Sequence, residues 1–329
     1  MILVKVTLSC MIGFLLSLFY GIVLIPILRK IKASQRLSIY LMETHKNKNG
    51  TPTMGGLIFI LGTITSIVML LILNKINISY SLIIVLFTFI SYGFIGFLDD
   101  YLIIKRNNNI GLKPSEKMLL QIIVAIVFFY LFMVSNNEPL LWIHTLGIKL
   151  NIGWFYGLFI LFVLTASSNA VNLTDGLDGL AGGLSAIAFF TFGILSYYTG
   201  WLEGYVEVSL FCFILFGSLL GFLVFNANPA KVFMGDTGSL SLGATLGSVA
   251  ILTRHEVLLI LIGIVFVIET LSCILQTSYY KLTHKRLFPM APIHHSFEKK
   301  GFKEKDIVRL FWIVGLIASM ISIMFGVII

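Results

Sequence analysis

The chain has 329 residues, of which 58% are hydrophobic and only 12% charged, and its formal net charge is +8. That balance excludes a soluble domain, whose surface would need far more charge. It also points away from a nucleic-acid partner, because the basic residues sit in short connections between apolar runs, where they report membrane topology.

Apolar runs fall near 6–28, 54–73, 78–98, 118–134, 152–168, 180–199, 206–225, 238–252, 257–277 and 307–329. Crossing a bilayer takes about 20 apolar residues, and only 238–252 is clearly short, which predicts a tilt or a continuation into its loop. The first run, from Val6 to Leu28, is too long for a signal-peptide core and has no small-residue cleavage site, so it is expected to be a retained helix. Cys10, Cys212 and Cys273 each lie inside an apolar run with no second ligand at disulfide or zinc spacing. The expected fold is therefore a single all-α, polytopic membrane domain over residues 1–329 with about ten transmembrane helices. Taking the connections alternately, one side carries eighteen lysines and arginines and the other four. Such an asymmetry predicts both termini outside and five loops, roughly 29–53, 99–117, 169–179, 226–237 and 278–306, in the cytoplasm.

All six aspartates, Asp99, Asp100, Asp175, Asp178, Asp236 and Asp306, fall in or beside those five loops, while the outward loops carry Glu138, Glu203, Glu207 and Glu256. Aspartate in particular is sorted to one side. In chain order, KNKNGTPTMGG (46–56) leads into the second run with lysine, hydroxyl and glycine groups suited to phosphate, a weak signal alone. Asp99 and Asp100 close the third run in GFLDDY. A helix C-terminus is already partly negative, and two carboxylates about 5 Å apart repel by roughly 3 kcal/mol at an effective dielectric near 20. Either Lys105, Arg106 and water compensate them, or the pair handles a metal or a phosphate.

The segment NLTDGLDGLAGG (172–183) holds Asp175 and Asp178 three apart at the start of a run, on one face if helical. Helix capping by Thr174 or Asp175 would use one side chain and leave Asp178 unexplained. In NANPAKVFMGDTGSL (226–240), Gly235 to Ser239 precedes a run whose helix N-terminus could hold phosphate through backbone N–H groups, with Asp236 as an oxygen ligand for Mg²⁺; a plain turn and cap is the alternative. Glu269 lies inside the ninth run and is expected to face the bundle interior with a polar partner. The last basic loop carries PMAPIHHSFEKKG (289–301). Its histidines, His294 and His295, are either solvated surface or a shaped group that binds pyrophosphate or moves a proton.

Taken in order, TPTMGG, DDY, NLTDGLDGLAGG, NANPAKVFMGDTGSL and APIHHSFE resemble the polyprenyl-phosphate N-acetylhexosamine-1-phosphate transferases over almost the whole chain, and the Pro-Ile-His-His…Phe-Glu segment resembles their muramoyl branch. The resemblance implies a Mg²⁺-dependent enzyme of the bacterial inner membrane with its active site facing the cytoplasm. It would join UDP-MurNAc-pentapeptide and undecaprenyl phosphate into lipid I and UMP. It further implies Asp236 as the metal ligand, Asp99 and Asp100 in the same cleft with Asp99 as base, and Asp175 and Asp178 lining the nucleotide and metal side. Asn226 and Phe233 correspond to positions that hold or stack uracil, Lys48 to a nucleotide-side lysine, and His294 to the histidine needed for activity; Gly235 and His295 are expected substrate contacts. Two positions depart from the pattern: Ser296 stands where a third histidine is usual, and Ile103 where lysine is common, so that Lys105 or Lys117 is left to supply the charge. A sister GlcNAc-1-phosphate transferase, or a transporter, remains the alternative, and a homodimer is compatible with the sequence.

Overall fold

The computed structural model describes residues 2–31, 33, 50–106, 110–135, 137–143 and 147–328. In chain order its helices are α1 (Ile2–Lys30), α2 (Gly56–Ile72), α3 (Tyr80–Arg106), α4 (Pro114–Val134), α5 (Phe155–Thr174), α6 (Leu180–Tyr197), α7 (Tyr205–Asn226), α8 (Gly235–Leu252), α9 (Glu256–Ile262), α10 (Ile264–Thr283), α11 (Ile293–Lys299) and α12 (Glu304–Ile328). A hairpin of β1 (Leu140–Ile143) and β2 (Ile148–Asn151), antiparallel with Leu141 opposite Leu150, joins α4 to α5. Nothing in the hydrophobic pattern predicted it.

All ten apolar runs are helical, but they are not ten equivalent spans. Seven helices, α1, α3, α4, α5, α6, α7 and α12, are long and apolar enough to cross a membrane, and α9 with α10 makes an eighth if that bent pair is one span. The expected single helix over 257–277 is corrected here: the chain breaks at Gly263 and turns by 83°. α2 is apolar but only 17 residues long. α1, α4 and α12 turn most of their apolar side chains outward, among them Leu15, Ile126 and Met320, as helices facing lipid must.

α8 lives in a different solvent. Every residue from Thr237 to Leu252 is buried, and many are small: Gly238, Ser239, Ser241, Gly243, Ala244, Thr245, Gly247 and Ser248. Small side chains let neighbouring backbones approach closely. A Cβ on Gly243 would lie 2.3 Å from the Ser167 carbonyl oxygen of α5, and one on Gly96 of α3 would lie 2.1 Å from the Asp236 carbonyl oxygen. α3 and α5 therefore clasp α8, α2 and α6 also touch it, and α6 and α1 pack on α7. Low hydropathy in 238–252 reflects a helix surrounded by protein, which accounts for the short run.

The two ends of α8 belong to different polar networks, about 27 Å apart for 18 residues at 1.5 Å each. Its N-terminus meets the ends of α3, α4 and α5. Beyond its C-terminus, Arg254 donates to the Leu140 carbonyl at 2.7 Å, the Glu138 carbonyl at 2.6 Å and Tyr156 Oη at 3.0 Å. Tyr156 Oη in turn donates to Glu256 at 2.7 Å. Trp142 and Trp201, 5.4 Å apart, share that end with the exposed Trp154, where tryptophan suits a membrane surface.

Gly96→Ala places a methyl group against backbone that cannot move aside, an overpacking cost of about 1–3 kcal/mol. Thermal unfolding of the detergent-solubilised protein is expected to fall by several degrees, whereas Gly200→Ala, with nothing within 4 Å of the added atom, leaves it unchanged.

Candidate active site

The acidic end of the bundle is built around the first turn of α8. An α-helix opens with backbone N–H groups that have no partner inside the helix. Here three of them are taken by carboxylates from other elements. Gly235 N–H donates to Asp175, the residue that follows α5. Asp236 N–H and Thr237 N–H donate to Asp100 near the end of α3, at 3.3 and 3.0 Å, and Thr237 Oγ1 donates to the same carboxylate at 2.6 Å. Asp100 is fully buried, and each such anion at a helix N-terminus contributes about 0.5–2 kcal/mol. The φ of +73° at Gly235 makes this turn feasible, and a Cβ there would stand 2.6 Å from Asp100 Oδ2. The expectation that these N–H groups are open to a phosphate is thereby corrected: those of Gly235, Asp236 and Thr237 are occupied by the protein's own carboxylates.

That capping leaves the Asp236 side chain as the centre of the cleft. Its Oδ2 accepts from Lys117 Nζ at 2.6 Å, and its Oδ1 from Asn172 Nδ2 at 2.7 Å. Asn172 Nδ2 also donates to Ser239 Oγ at 2.9 Å, which fixes the amide. Asp99 faces Asp236 across the cleft, with Oδ1 held by the Leu112 N–H at 3.0 Å. Gly111 lets that connection lie flat on the Asp99 carboxylate, where a Cβ would come within 2.4 Å. Four carboxylates thus gather with one ammonium among the described residues. Asp175 records the strain most openly. Its surface is partly reachable from the cleft, yet enclosure by the protein, followed by the charges of Asp236, Asp100 and Asp178, raises its pKa from 3.8 to about 7.

Asp178 has a different task. It lies beside this cluster, accepting from Asn228 Nδ2 at 3.2 Å and the Ala230 N–H at 3.0 Å, while its own N–H donates to Glu304 of α12 at 2.7 Å. It ties the 226–231 connection to α12. Asn226 is buried, donates to the Val232 carbonyl at 3.0 Å, and keeps Oδ1 without a hydrogen-bond partner among the described residues. Phe233, partly exposed, is set by backbone pairing with the 52–55 segment: its N–H donates to Pro52 at 2.8 Å and its carbonyl accepts from Gly55 at 2.8 Å. Lys48 lies outside the described residues.

His294 is fully buried on α11, with Nδ1 3.1 Å from Glu269 Oε2. Its other nitrogen abuts Gly176, where a Cβ would lie 2.3 Å from Nε2, so the ring borders the Asp175–Gly176 turn. His295 packs beside it, ring centroids 4.1 Å apart, and bonds Glu298 at 2.6 Å. Ser296 donates to the Met290 carbonyl and accepts from the Met290 N–H at 3.2 Å, closing the turn before α11. Of the two candidates for the missing charge beside Ile103, Lys117 reaches the cleft, whereas Lys105 is exposed and lies over the Tyr101 ring. Asp306 is exposed on α12, with its carboxylate 3.8 Å from Arg309. The central part of Lys117 was hidden in the sequence because only the folded chain brings the start of α4 against α8.

The donor chemistry fits a hard divalent cation. The converging groups are carboxylate oxygens, their charge exceeds that of Lys117, and a Mg²⁺ ion completed by substrate phosphates needs only one or two of them. Among the described residues no group of three or more acidic, histidine or cysteine side chains is placed to hold a metal ion by itself.

Fold and cleft define a multi-pass helical membrane protein of the phospho-sugar transferase class: the profile of glycosyl transferase family 4 matches residues 82–254. The profile described as phospho-N-acetylmuramoyl-pentapeptide-transferase signature 1 matches residues 48–60. Proteins called phospho-N-acetylmuramoyl-pentapeptide-transferase are similar from end to end. That of Bacillus subtilis (strain 168) is 45% identical over 316 residues, 96% of each chain. That of Staphylococcus aureus (strain bovine RF122 / ET3-1) is 46% identical over 309 residues, 93% of this chain and 94% of the relative. The chain belongs to the phospho-N-acetylmuramoyl-pentapeptide-transferase family.

Because the Asp175 carboxyl sits at about 7 when folded and near 3.8 when unfolded, the folded protein binds the extra proton between those values. Its contribution to stability is full below about pH 4 and is lost as the pH rises through 7. Asp175→Asn is expected to flatten that slope and to unfold a few degrees above the parent at pH 8 in chelator, as read by differential scanning fluorimetry.

Proposed function

We propose that the chain transfers phospho-MurNAc-pentapeptide from UDP-MurNAc-pentapeptide to undecaprenyl phosphate, leaving lipid I in the bacterial cytoplasmic membrane and releasing UMP. The observation that carries this reading is the junction of Asp99, Asp236 and Lys117 at the ends of α3, α8 and α4. One substrate is water-soluble and the other has an apolar tail that stays in lipid, so their phosphates can meet only at a membrane surface, where helices end. The eighteen-to-four distribution of basic residues supports external termini and a cleft facing the cytoplasm.

Asp236 is the residue to hold Mg²⁺, whose charge, when bound, offsets that of the pyrophosphate. Asp99 suits the part of base better than Asp100, since both oxygens of Asp100 are engaged by α8 whereas Asp99 faces Asp236 and Lys117. It takes the proton of the lipid phosphate. The freed phosphate oxygen then attacks the β-phosphorus of the sugar nucleotide, the bond to the α-phosphate oxygen breaks, and UMP departs. Asp100 and Asp175 keep α8 in register so that Asp236 does not drift. Lys117 and Asn172 fix the Asp236 carboxylate, and His294 borders the pyrophosphate position through Nε2. Asn226 Oδ1, which has no hydrogen-bond partner among the described residues, supports uracil recognition as an acceptor for the ring's imide N–H, with Phe233 offering an aromatic face. Asp178, Lys48, Gly235 and His295 complete the substrate side, with Asp178 and Gly235 acting through the backbone they shape.

UMP release from UDP-MurNAc-pentapeptide and undecaprenyl phosphate in membranes tests the reading. Asp236→Ala is expected to abolish it and Asp99→Asn to lower kcat by about 10²–10⁴-fold, both with thermal unfolding intact. Release that persists under chelation would overturn the cation assignment. UMP from UDP-GlcNAc instead would indicate the sister transferase, and none from either a transporter. In the same assay His294→Ala loses far more activity than Ser296→Ala, whose hydroxyl only closes a turn.

A further inference from the structure

Arg106 is the last residue of α3, and an arginine there ordinarily serves the negative end of its helix. Its guanidinium does something more particular. Nη1 reaches forward to donate to the Gly111 carbonyl at 2.8 Å and lies 3.4 Å from the Ile110 carbonyl. The neighbouring cation, Lys105, lies over the Tyr101 ring instead. The Gly111 carbonyl and the Leu112 N–H are opposite ends of one planar peptide unit, and that N–H is the group that donates to Asp99 Oδ1 at 3.0 Å. The unit begins at Gly111, where a Cβ would stand 2.4 Å from Asp99 Oδ2 and 2.7 Å from Oδ1. Only a bare Cα can lie against the carboxylate in this way.

A planar peptide cannot turn one end without turning the other. Holding its oxygen on a guanidinium therefore aims its N–H, and the positive charge drawing on that oxygen makes the N–H a stronger donor. We propose that Arg106 is a positioning residue for Asp99: through the Gly111–Leu112 peptide it fixes the rotation of the Asp99 carboxylate, so that this group faces Asp236 in a single orientation. The site needs such a restraint. Asp99 and Asp236 are like charges facing each other, and a side chain left to itself would swing away from such a neighbour. The stretch that carries the Leu112 N–H continues through the Lys113–Glu116 hydrogen bond of 2.9 Å into α4, where Lys117 holds Asp236 at 2.6 Å. One connection thus restrains both carboxylates, and Arg106 fastens its beginning to α3. That the orientation serves proton removal rests on the reading of Asp99 as the base; the clamp itself does not.

Two measurements on the full-length protein in nanodiscs test this. In spectra of ¹⁵N-leucine-labelled protein without substrate, the Leu112 amide proton, identified by its loss in Leu112→Ile, is expected to move upfield in Arg106→Met, which keeps the stem and loses the donors. The same variant is expected to lower kcat by about 10–10²-fold while KM for each substrate changes by less than about threefold, with thermal unfolding unchanged. Arg106→Lys, whose ammonium still reaches a carbonyl, restores the amide position and most of kcat. Gly111→Ala, with Arg106 intact, lowers kcat by displacing the same carboxylate. The proposal is overturned if Arg106→Met keeps the parental Leu112 signal, if Arg106→Met or Gly111→Ala keeps parental kcat, or if Lys rescues no better than Met. It is equally overturned if KM rises alone, which would make the guanidinium a substrate contact, or if stability falls with kcat, which would make it a helix cap only. Should Asp99→Asn keep parental kcat, the base reading fails while the Leu112 amide still decides the clamp.

Discussion

The first turn of α8 is the constraint on which the rest of the site depends. A helix that begins deep in a membrane protein must satisfy N–H groups that water would otherwise take. Here Asp100 and Asp175 do so from two other helices, so that one set of hydrogen bonds fixes the mutual position of α3, α5 and α8. The consequence is chemical as well as mechanical. Anchoring two carboxylates on a shared helix terminus necessarily concentrates negative charge, and Asp236, the second residue of that turn, adds to it. Carboxylates gathered in this way repel one another, and a cation among them, as Lys117 is here, relieves that repulsion.

Small residues make the arrangement feasible. Gly96, Gly56, Gly238 and Gly243 stand where another backbone would meet a Cβ at less than 3.0 Å. The central helix is thus held by contact on all sides, and its remote end is secured by Arg254, Tyr156 and Glu256. Rigidity at both ends keeps Asp236 at a constant depth. By contrast α10 departs at 83° from α9 after Gly263, and that departure brings Glu269 under the histidine segment. The break is a route by which a loop is supported from below.

Several readings from the residues alone agree with the folded chain. The helical runs were legible because lipid imposes a long apolar stretch, and the acidic segments because aspartate occurs nowhere else. Glu269 was visible as an ionisable group within an apolar run, and the interior partner expected for it is His294. Other features were misread for physical reasons. The N–H groups of the Gly235–Thr237 turn looked open, since a sequence does not tell which distant side chain caps a helix. The hairpin at 140–151 lacks a period strong enough to announce it. The run at 257–277 reads as continuous because a single glycine is tolerated in many helices, and only packing decides whether it bends.

By itself the sequence determined the solvent of the chain, its helical class, its family and the restriction of aspartates to alternate connections, for these follow from local hydrophobicity, charge and motif order. Tertiary structure decided the division of labour among those aspartates. Asp100 and Asp175 serve as caps, Asp178 ties a loop to α12, and Asp99 and Asp236 are left facing each other with Lys117 at hand. Five carboxylates of identical intrinsic chemistry acquire separate parts only from the donors that surround them, and those donors arrive from helices far apart in the chain.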